Sequence, residues 1–235
     1  MKENQDIKIE SVIPAASLVE LLIGILAIVG GAALALALLP QLLPGLTNSL
    51  SGDSPQAFWF ISRGSAWAAF GLLWASMGFG LAITNRMARL WPGGPAAVDL
   101  HQYTSLLGLG FGLFHALILL GDRYINFSIS QIFIPFSTQA YKPVWVGIGQ
   151  LGFYLWGIIV VSFYLRKRIG SKTWRLVHYA SFLTFILVLI HGLSSGTDSP
   201  QIWANLIYWS SGGSLLFLIY YRVLSTVGIK RTRAS

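Results

Sequence analysis

The sequence predicts an all-α membrane protein, a bundle of six transmembrane helices with both chain ends on the cytoplasmic side. Of its 235 residues, 54% are hydrophobic and only 10% are charged, whereas soluble domains carry about 25% charged residues. Six apolar segments are each long enough to cross about 30 Å of hydrocarbon as a helix. Lysine and arginine gather on one side of these segments, which sets the orientation.

The six segments divide the chain. The predicted spans are 21–39, 57–83, 100–120, 144–165, 174–193 and 202–224. Residues 1–20 are expected to form a cytoplasmic N-terminal segment, 21–224 the six-helix domain, and 225–235 a basic cytoplasmic tail. The apolar run at 13–39 is too long for the core of a signal peptide, so it is interpreted as a retained first span.

The net charge of +8 follows from membrane orientation rather than from nucleic-acid binding. With the N-terminus inside, 13 of the 16 basic residues lie inside, and only Arg63, Arg123 and Lys142 fall outside. This bias is the positive-inside pattern. The chain contains no cysteine, which excludes disulfides, thiolate metal sites and cysteine-ligated iron–sulfur clusters.

Two external connections differ in character. Residues 40–56 are rich in proline, glycine and serine and are expected to form an exposed loop. Residues 122–143 form the longest external connection, and 129–136 are apolar enough to lie against the membrane or to cap the bundle.

All four histidines lie in predicted spans, where ionisable residues are rare and are candidates for functional sites. His101 and His115, on the third span, are fourteen residues apart; His178 and His191, on the fifth, are thirteen apart. Because both spans run from inside to outside, the histidines can be matched by depth. His101 and His178 then lie near the inner face, and His115 and His191 lie about 21 and 20 Å further out.

Two depth-matched pairs predict two stacked b-type haems between the third and fifth spans. One imidazole from each side would fill both axial positions of each iron, and burial and hydrogen bonds would tune its potential. Full axial coordination favours electron transfer over gas binding at the iron. The expected sites are His101–His178 on the inside and His115–His191 on the outside, in a protein that carries electrons across the bilayer.

Other interpretations of the histidines remain open. They could be four unrelated packing residues that hydrogen-bond across the bundle, in a non-redox scaffold or in a transporter that handles protons. Transporters often have inverted repeats and broken helices, neither of which is evident. A zinc site does not suit pairs about 20 Å apart, because zinc ligands converge within about 2 Å of one ion.

The spacing on the fifth span does not follow helical periodicity. Fourteen residues fall about 40° short of whole turns, so His101 and His115 nearly share a face; thirteen fall about 140° short, so His178 and His191 do not. Either this helix is locally distorted, or the two haems lie on different sides of it.

Arg63 is an unusual charge, because it lies about 9 Å below the outer end of the second span. A haem carboxylate is the favoured partner, and an arginine snorkelling to the outer surface is the alternative. On the inner side Arg175, and with it Lys172 and Arg86, could serve the other haem, but the charge rule alone also explains them.

Small and aromatic residues lie between the histidines. Gly108, Gly110 and Gly112 could admit a flat macrocycle close to the backbone, and they could equally serve plain helix packing. Phe185, between His178 and His191 in the sequence, could sit between the haems, although an aromatic at such a place is more often a core residue.

These features resemble the ferric reductase-like transmembrane domain family, which includes NADPH oxidases, ferric reductases and the membrane haem subunit of bacterial methionine sulfoxide reductase. The resemblance covers about 57–224 and rests on the two histidine pairs and on the stretch GSKTWRLVHY at 170–179. His191-Gly192, the later 196–199, and 134–136 before 141–143 are also similar to prokaryotic members. The thirteen-residue spacing is itself a family trait.

The resemblance implies the same haem pairing and places an arginine like Arg63 near the outer haem. Oxidases and reductases of the family carry a C-terminal flavin and nicotinamide domain, for which this sequence has no glycine-rich unit. The resemblance therefore implies that the chain is the membrane haem component of an oxidoreductase. The chain could also bind a flavin or quinone loosely. The donor would be a separate flavoprotein, flavin or quinol. The acceptor would be ferric iron, oxygen or an extracytoplasmic redox protein, at a bacterial inner membrane.

Overall fold

A computed structural model describes residues 12–42, 57–85, 87–89, 93–122, 125–139 and 141–234. The described part contains seven α-helices and no β-strand: α1 (Leu18–Leu42), α2 (Ala57–Thr84), α3 (Gly94–Ile118), α4 (Ile129–Phe133), α5 (Pro143–Ile169), α6 (Ser171–Ser195) and α7 (Ile202–Ala234). All but the short α4 are long and apolar enough to cross a membrane. The prediction of an all-α, multi-pass membrane protein with six spans is therefore confirmed.

Most helix ends differ from the predicted limits, and the start of α3 and the end of α7 differ by more than four residues. α3 begins at Gly94, six residues before the predicted start, because Pro95 occupies its first turn, where a missing N–H costs nothing. α1 passes through Pro40 to Leu42. α7 continues to Ala234, so the backbone of the expected tail is helical as far as that residue. The expected loop at 40–56 lies, from 43 onward, outside the described residues.

Antiparallel neighbours dominate the packing. α2 lies along α3, α5 lies along α6, α1 packs on α3, and α7 packs on α2. A single residue, Gly170 with φ 82°, connects α5 to α6; this left-handed conformation suits glycine because it has no Cβ. α3 and α6, which carry the histidines, do not pack closely against each other.

The two ends of the bundle can be told apart by their contacts. At the end where the described chain begins, called the inner end after its predicted orientation, the N-H of Ala15 donates to Gln102 at 2.8 Å and Tyr164 donates to the carbonyl of Ala16 at 2.9 Å. The start of α3 and the end of α5 therefore meet the segment before α1. At the opposite end, called the outer end, Arg63 near the start of α2 meets Asp198 in the α6–α7 connection.

The core lies between α2, α5, α6 and α7. Phe185 is part of it: its ring stacks on Phe70 with centroids 5.9 Å apart, which agrees with the core interpretation of this residue. The buried core residues are Phe70, Leu73, Met77, Leu81, Trp156, Val160, Phe185, Ala204, Tyr208 and Leu215.

The glycines between the histidines of α3 serve as packing positions. A Cβ on Gly108 would come within 2.6 Å of the Trp156 ring, and one on Gly110 would come within 3.0 Å of Ile28. A Cβ on Gly112 would meet the Phe153 ring at 3.4 Å. Close approach of α1 and α5 to α3 thus explains the absence of side chains at these positions.

Candidate functional site: two histidine pairs

The structure brings the four histidines together as two pairs, each with one member on α3 and one on α6. The ring centroids of His101 and His178, the inner pair, are 5.9 Å apart. Those of His115 and His191, the outer pair, are 6.3 Å apart. The planes within each pair are steeply inclined, at 74° and 71°. No group of three or more histidine, cysteine or acidic side chains that could hold a metal ion occurs among the described residues.

The ring separations are compatible with one metal ion held between two axial imidazoles. An imidazole nitrogen binds such a metal at about 2.0 Å and lies about 1.1 Å from its ring centre, so the two ring centres would lie about 6 Å apart. A pair supplies two protein ligands, too few for a structural zinc site. Two is the number that a porphyrin iron takes from the protein when both axial positions are filled.

The α3 histidines are held by serines of α2. Nδ1 of His101 lies 2.8 Å from the main-chain oxygen of Ser76, and Nδ1 of His115 lies 2.9 Å from that of Ser62. In return, the hydroxyl of Ser76 donates to the carbonyl of His101 at 3.2 Å, and that of Ser62 donates to the carbonyl of His115 at 3.1 Å. The same reciprocal contact therefore occurs twice.

The serine carbonyls determine which ring nitrogen carries the proton. A carbonyl oxygen can only accept, so Nδ1 of His101 and of His115 must donate. His191 is held in the same way, because its Nδ1 lies 2.8 Å from the main-chain oxygen of Trp145 on α5. In all three neutral imidazoles the lone pair then lies on Nε2, the form in which histidine binds a metal.

His178 is positioned by stacking. The indole of Trp174, one turn earlier on α6, lies nearly parallel to the imidazole, with centroids 4.9 Å apart and planes inclined by 25°. Nε1 of Trp174 is buried and has no hydrogen-bond partner among the described residues. It is a donor beside the inner pair that could serve a carboxylate of a bound group.

The thirteen-residue spacing on α6 is accommodated without a break. α6 is an uninterrupted α-helix from Ser171 to Ser195, so the alternative of local distortion is not supported. His191 leaves the helix toward α5, where a Cβ on Gly149 would come within 2.6 Å of its ring carbon Cγ. The two imidazoles therefore leave α6 in different directions.

A cavity of about 210 Å³ lies beside the outer pair. Its wall includes His115, His191 and Tyr141, together with mostly apolar side chains. The hydroxyl of Ser195, which also lines it, is buried and lacks a partner among the described residues. The outer pair thus has adjoining space and, like the inner pair, an unused polar group.

Arg63 also borders this cavity, and its partner is Asp198. Nε of Arg63 donates to Oδ2 of Asp198 at 3.0 Å, and Nη2 donates to Oδ1. Nε1 of Trp67 donates to the same carboxylate at 3.1 Å. Both sequence-based interpretations of Arg63 omitted Asp198, which lies 135 residues away in the chain. The bidentate contact uses Nε and Nη2 of Arg63 and does not involve Nη1.

Arg175 is the remaining predicted site residue. Arg175 is exposed on the first turns of α6, one turn before His178. Lys172 is also exposed, and Arg86 lies outside the described residues. Neither Arg175 nor Lys172 forms a hydrogen bond or an ion pair with the inner pair.

The Arg63–Asp198 contact is expected to stabilise the outer end of the bundle. In a double-mutant cycle of Arg63→Gln and Asp198→Asn, we expect a coupling energy of about 1–3 kcal/mol, because each single change leaves a partly buried charge without its partner. The measurement is the free energy of unfolding in detergent. As a control, Arg175→Gln combined with Asp198→Asn should be additive, since Arg175 lies at the opposite end. Additivity in the first cycle would contradict a stabilising pair.

No protein-family model, no curated protein and no solved structure matched the chain when these were compared with it.

Proposed function

We propose that the chain is a di-haem, b-type membrane protein that passes electrons across the bilayer, from a donor at the inner end to an acceptor at the outer end. The observation that supports this most is the pairing of α3 and α6 histidines at two depths, with ring centroids 5.9 and 6.3 Å apart. A bound haem would supply a one-electron iron couple at each depth.

The chain's own residues would hold each group and set its environment. Ser62, Ser76 and the carbonyl of Trp145 orient three imidazoles with Nε2 free to coordinate. The helices that carry the pairs are not closely packed against each other, as a flat ring between them would require. Fourteen residues along α3 separate the two depths by about 21 Å, so the edges of two macrocycles would approach within tunnelling range.

A different partner is proposed at each end of the bundle. The proposed donor is a separate flavoprotein, a flavin or a quinol, and the proposed acceptor is ferric iron, oxygen or an extracytoplasmic redox protein. The proposed location is the inner membrane of a bacterium, with both chain ends in the cytoplasm. The chain would thus serve as the membrane haem component of an oxidoreductase.

Haem content tests the two sites separately. Purified protein from haem-sufficient cells should be red, with two low-spin haems per chain. His115→Ala should leave one haem, at the inner pair, and His178→Ala should leave one at the outer pair, because each change removes one axial ligand. Absorbance of the reduced protein and haem quantification provide the measurement. Leu183→Ala, an exposed position on α6 between the pairs, should keep both haems; a colourless wild-type preparation would contradict the proposal.

Gly149→Ala tests whether α5 positions the outer ligand. The added methyl would overlap the imidazole of His191, so we expect loss of the outer haem and retention of the inner one. Gly157→Ala on the same helix meets nothing within 4 Å and is the matched control. Both changes favour the helix by about 1 kcal/mol, so a difference between them reports on the contact with His191. Unchanged haem content in Gly149→Ala would argue against this positioning role.

Electron transfer across a membrane tests the function itself. In proteoliposomes, wild-type protein should carry electrons from an external reductant to ferricyanide trapped inside. His115→Ala and His178→Ala should each reduce the rate at least tenfold, because either change interrupts the path while the other haem remains. Protein-free vesicles give the leak rate. Leu183→Ala is the control variant and should transfer electrons at the wild-type rate. Variants that retain one haem and the full rate would contradict a two-haem path.

A further inference from the structure

The connection between α3 and α5 differs from an ordinary exposed loop. Between Arg123 and Lys142 the sequence contains no aspartate, glutamate, lysine or arginine. This stretch includes α4, Ile129–Phe133, and the residues that follow it. Surface connections are usually polar, because their backbone and side chains meet water. The lack of charge therefore indicates a different environment.

α4 and its flanks are apolar on two opposite sides. Phe127 and Ile132 are buried against the rest of the protein, at 6% and 8% exposure. Ile129, Ile134 and Phe136 face away from it, at 67%, 56% and 45% exposure. A helix in water shows its apolar side to the protein and a polar side to the solvent. The exposed side also carries Ser128 and Ser130, whose hydroxyls hydrogen-bond to each other at 2.9 Å. An exposed side that is mostly apolar is typical of a segment between protein and lipid.

Backbone hydrogen-bonding groups at both ends of α4 are paired with side chains of the protein. At its start, Ser128 and Gln131 form a capping box, with hydrogen bonds of 2.9 and 3.3 Å. At its end, Nε2 of Gln150 donates to the carbonyls of Gln131 and Ile132 at 2.7 and 2.8 Å, and the hydroxyl of Tyr154 donates to that of Phe133. Water would satisfy such helix ends on a surface, whereas hydrocarbon cannot.

The level of these donors on α5 gives the depth of α4. About 20 helical residues cross a hydrocarbon core of about 30 Å. Counted back from Leu165, the last apolar residue before Arg166, the core ends near Val146. Gln150 and Tyr154 lie about 6 and 12 Å below that level. The carboxyl end of α4 therefore lies beside a part of α5 that is within the hydrocarbon.

We propose that α4 is a re-entrant helix in the outer leaflet, with lipid acyl chains on the face formed by Ile129, Phe133, Ile134 and Phe136. Apolar residues of α5 such as Val144 and Leu151 are exposed as well, as expected of a lipid-facing surface. A protein partner would be expected to meet polar groups at the rim, and this stretch carries no charge.

The opposite side of α4 closes the cavity beside the outer histidine pair. Gln131, Ile132 and Phe133 belong to the cavity wall. α4 is therefore the partition between this cavity and the lipid. It separates the outer pair from the acyl chains whether or not the pair binds a haem.

The experiment uses single cysteines, because the chain has none of its own. A nitroxide is attached at Ile129→Cys, Phe133→Cys and Ile134→Cys in the full-length protein, reconstituted in phospholipid vesicles. Ile158→Cys, on the exposed face of α5, is the lipid reference, and Gln201→Cys, in the α6–α7 connection, is the aqueous reference. Collision with oxygen, which concentrates in acyl chains, is compared with collision with a water-soluble nickel chelate.

The expected result is an oxygen-to-nickel ratio at the three α4 positions that matches Ile158→Cys and exceeds that of Gln201→Cys several-fold. A ratio like that of Gln201→Cys would show α4 in water and overturn the proposal. Low collision with both reagents would show a covering protein, whether a second copy or a partner, and would also overturn it. A variant that fails to fold locally would show a lower thermal unfolding midpoint than the unlabelled protein. Agreement among three labelled positions with unchanged midpoints therefore reports the environment of α4.

Discussion

The hydrogen bond from a histidine Nδ1 to a main-chain carbonyl of a neighbouring helix is the interaction on which the arrangement of the sites depends. A helix carbonyl is already used within its own helix, but its second lone pair can accept another donor. In the interior of a membrane protein an unpaired imidazole N–H is costly. Ser62, Ser76 and Trp145 meet this requirement for three of the four histidines. The same bonds hold the helices in register and the rings in one orientation.

The two pairs share this principle but differ in their surroundings. The outer pair adjoins a cavity and a bidentate arginine–aspartate contact, whereas the inner pair is stacked on the indole of Trp174. Burial raises the pKa of Tyr141, which lines the outer cavity, and the nearby Arg63 charge partly opposes that increase. Unequal environments of this kind would give two otherwise similar groups different potentials.

The sequence was sufficient for the features that follow from apolar length and helical rise. The six spans and the matching of His101 with His178 follow from these, because all four histidines lie on long, regular helices. The acceptors of the Nδ1 protons could not be foreseen, since main-chain carbonyls have no sequence signature. The one available signal was the fourteen-residue spacing of Ser62 and Ser76, equal to that of His101 and His115. Asp198 was missed because its contact with Arg63 depends on a turn.

The equal spacing of the serines on α2 and the histidines on α3 limits where residues can be inserted or deleted. The helices are antiparallel, so Ser76 meets His101 and Ser62 meets His115 only while the two intervals remain equal. A residue inserted between the serines would rotate one of them about 100° away from its histidine. A compensating insertion between the histidines would be needed to restore both contacts. Insertions and deletions in related chains should therefore be confined to the connections, or occur in α2 and α3 together.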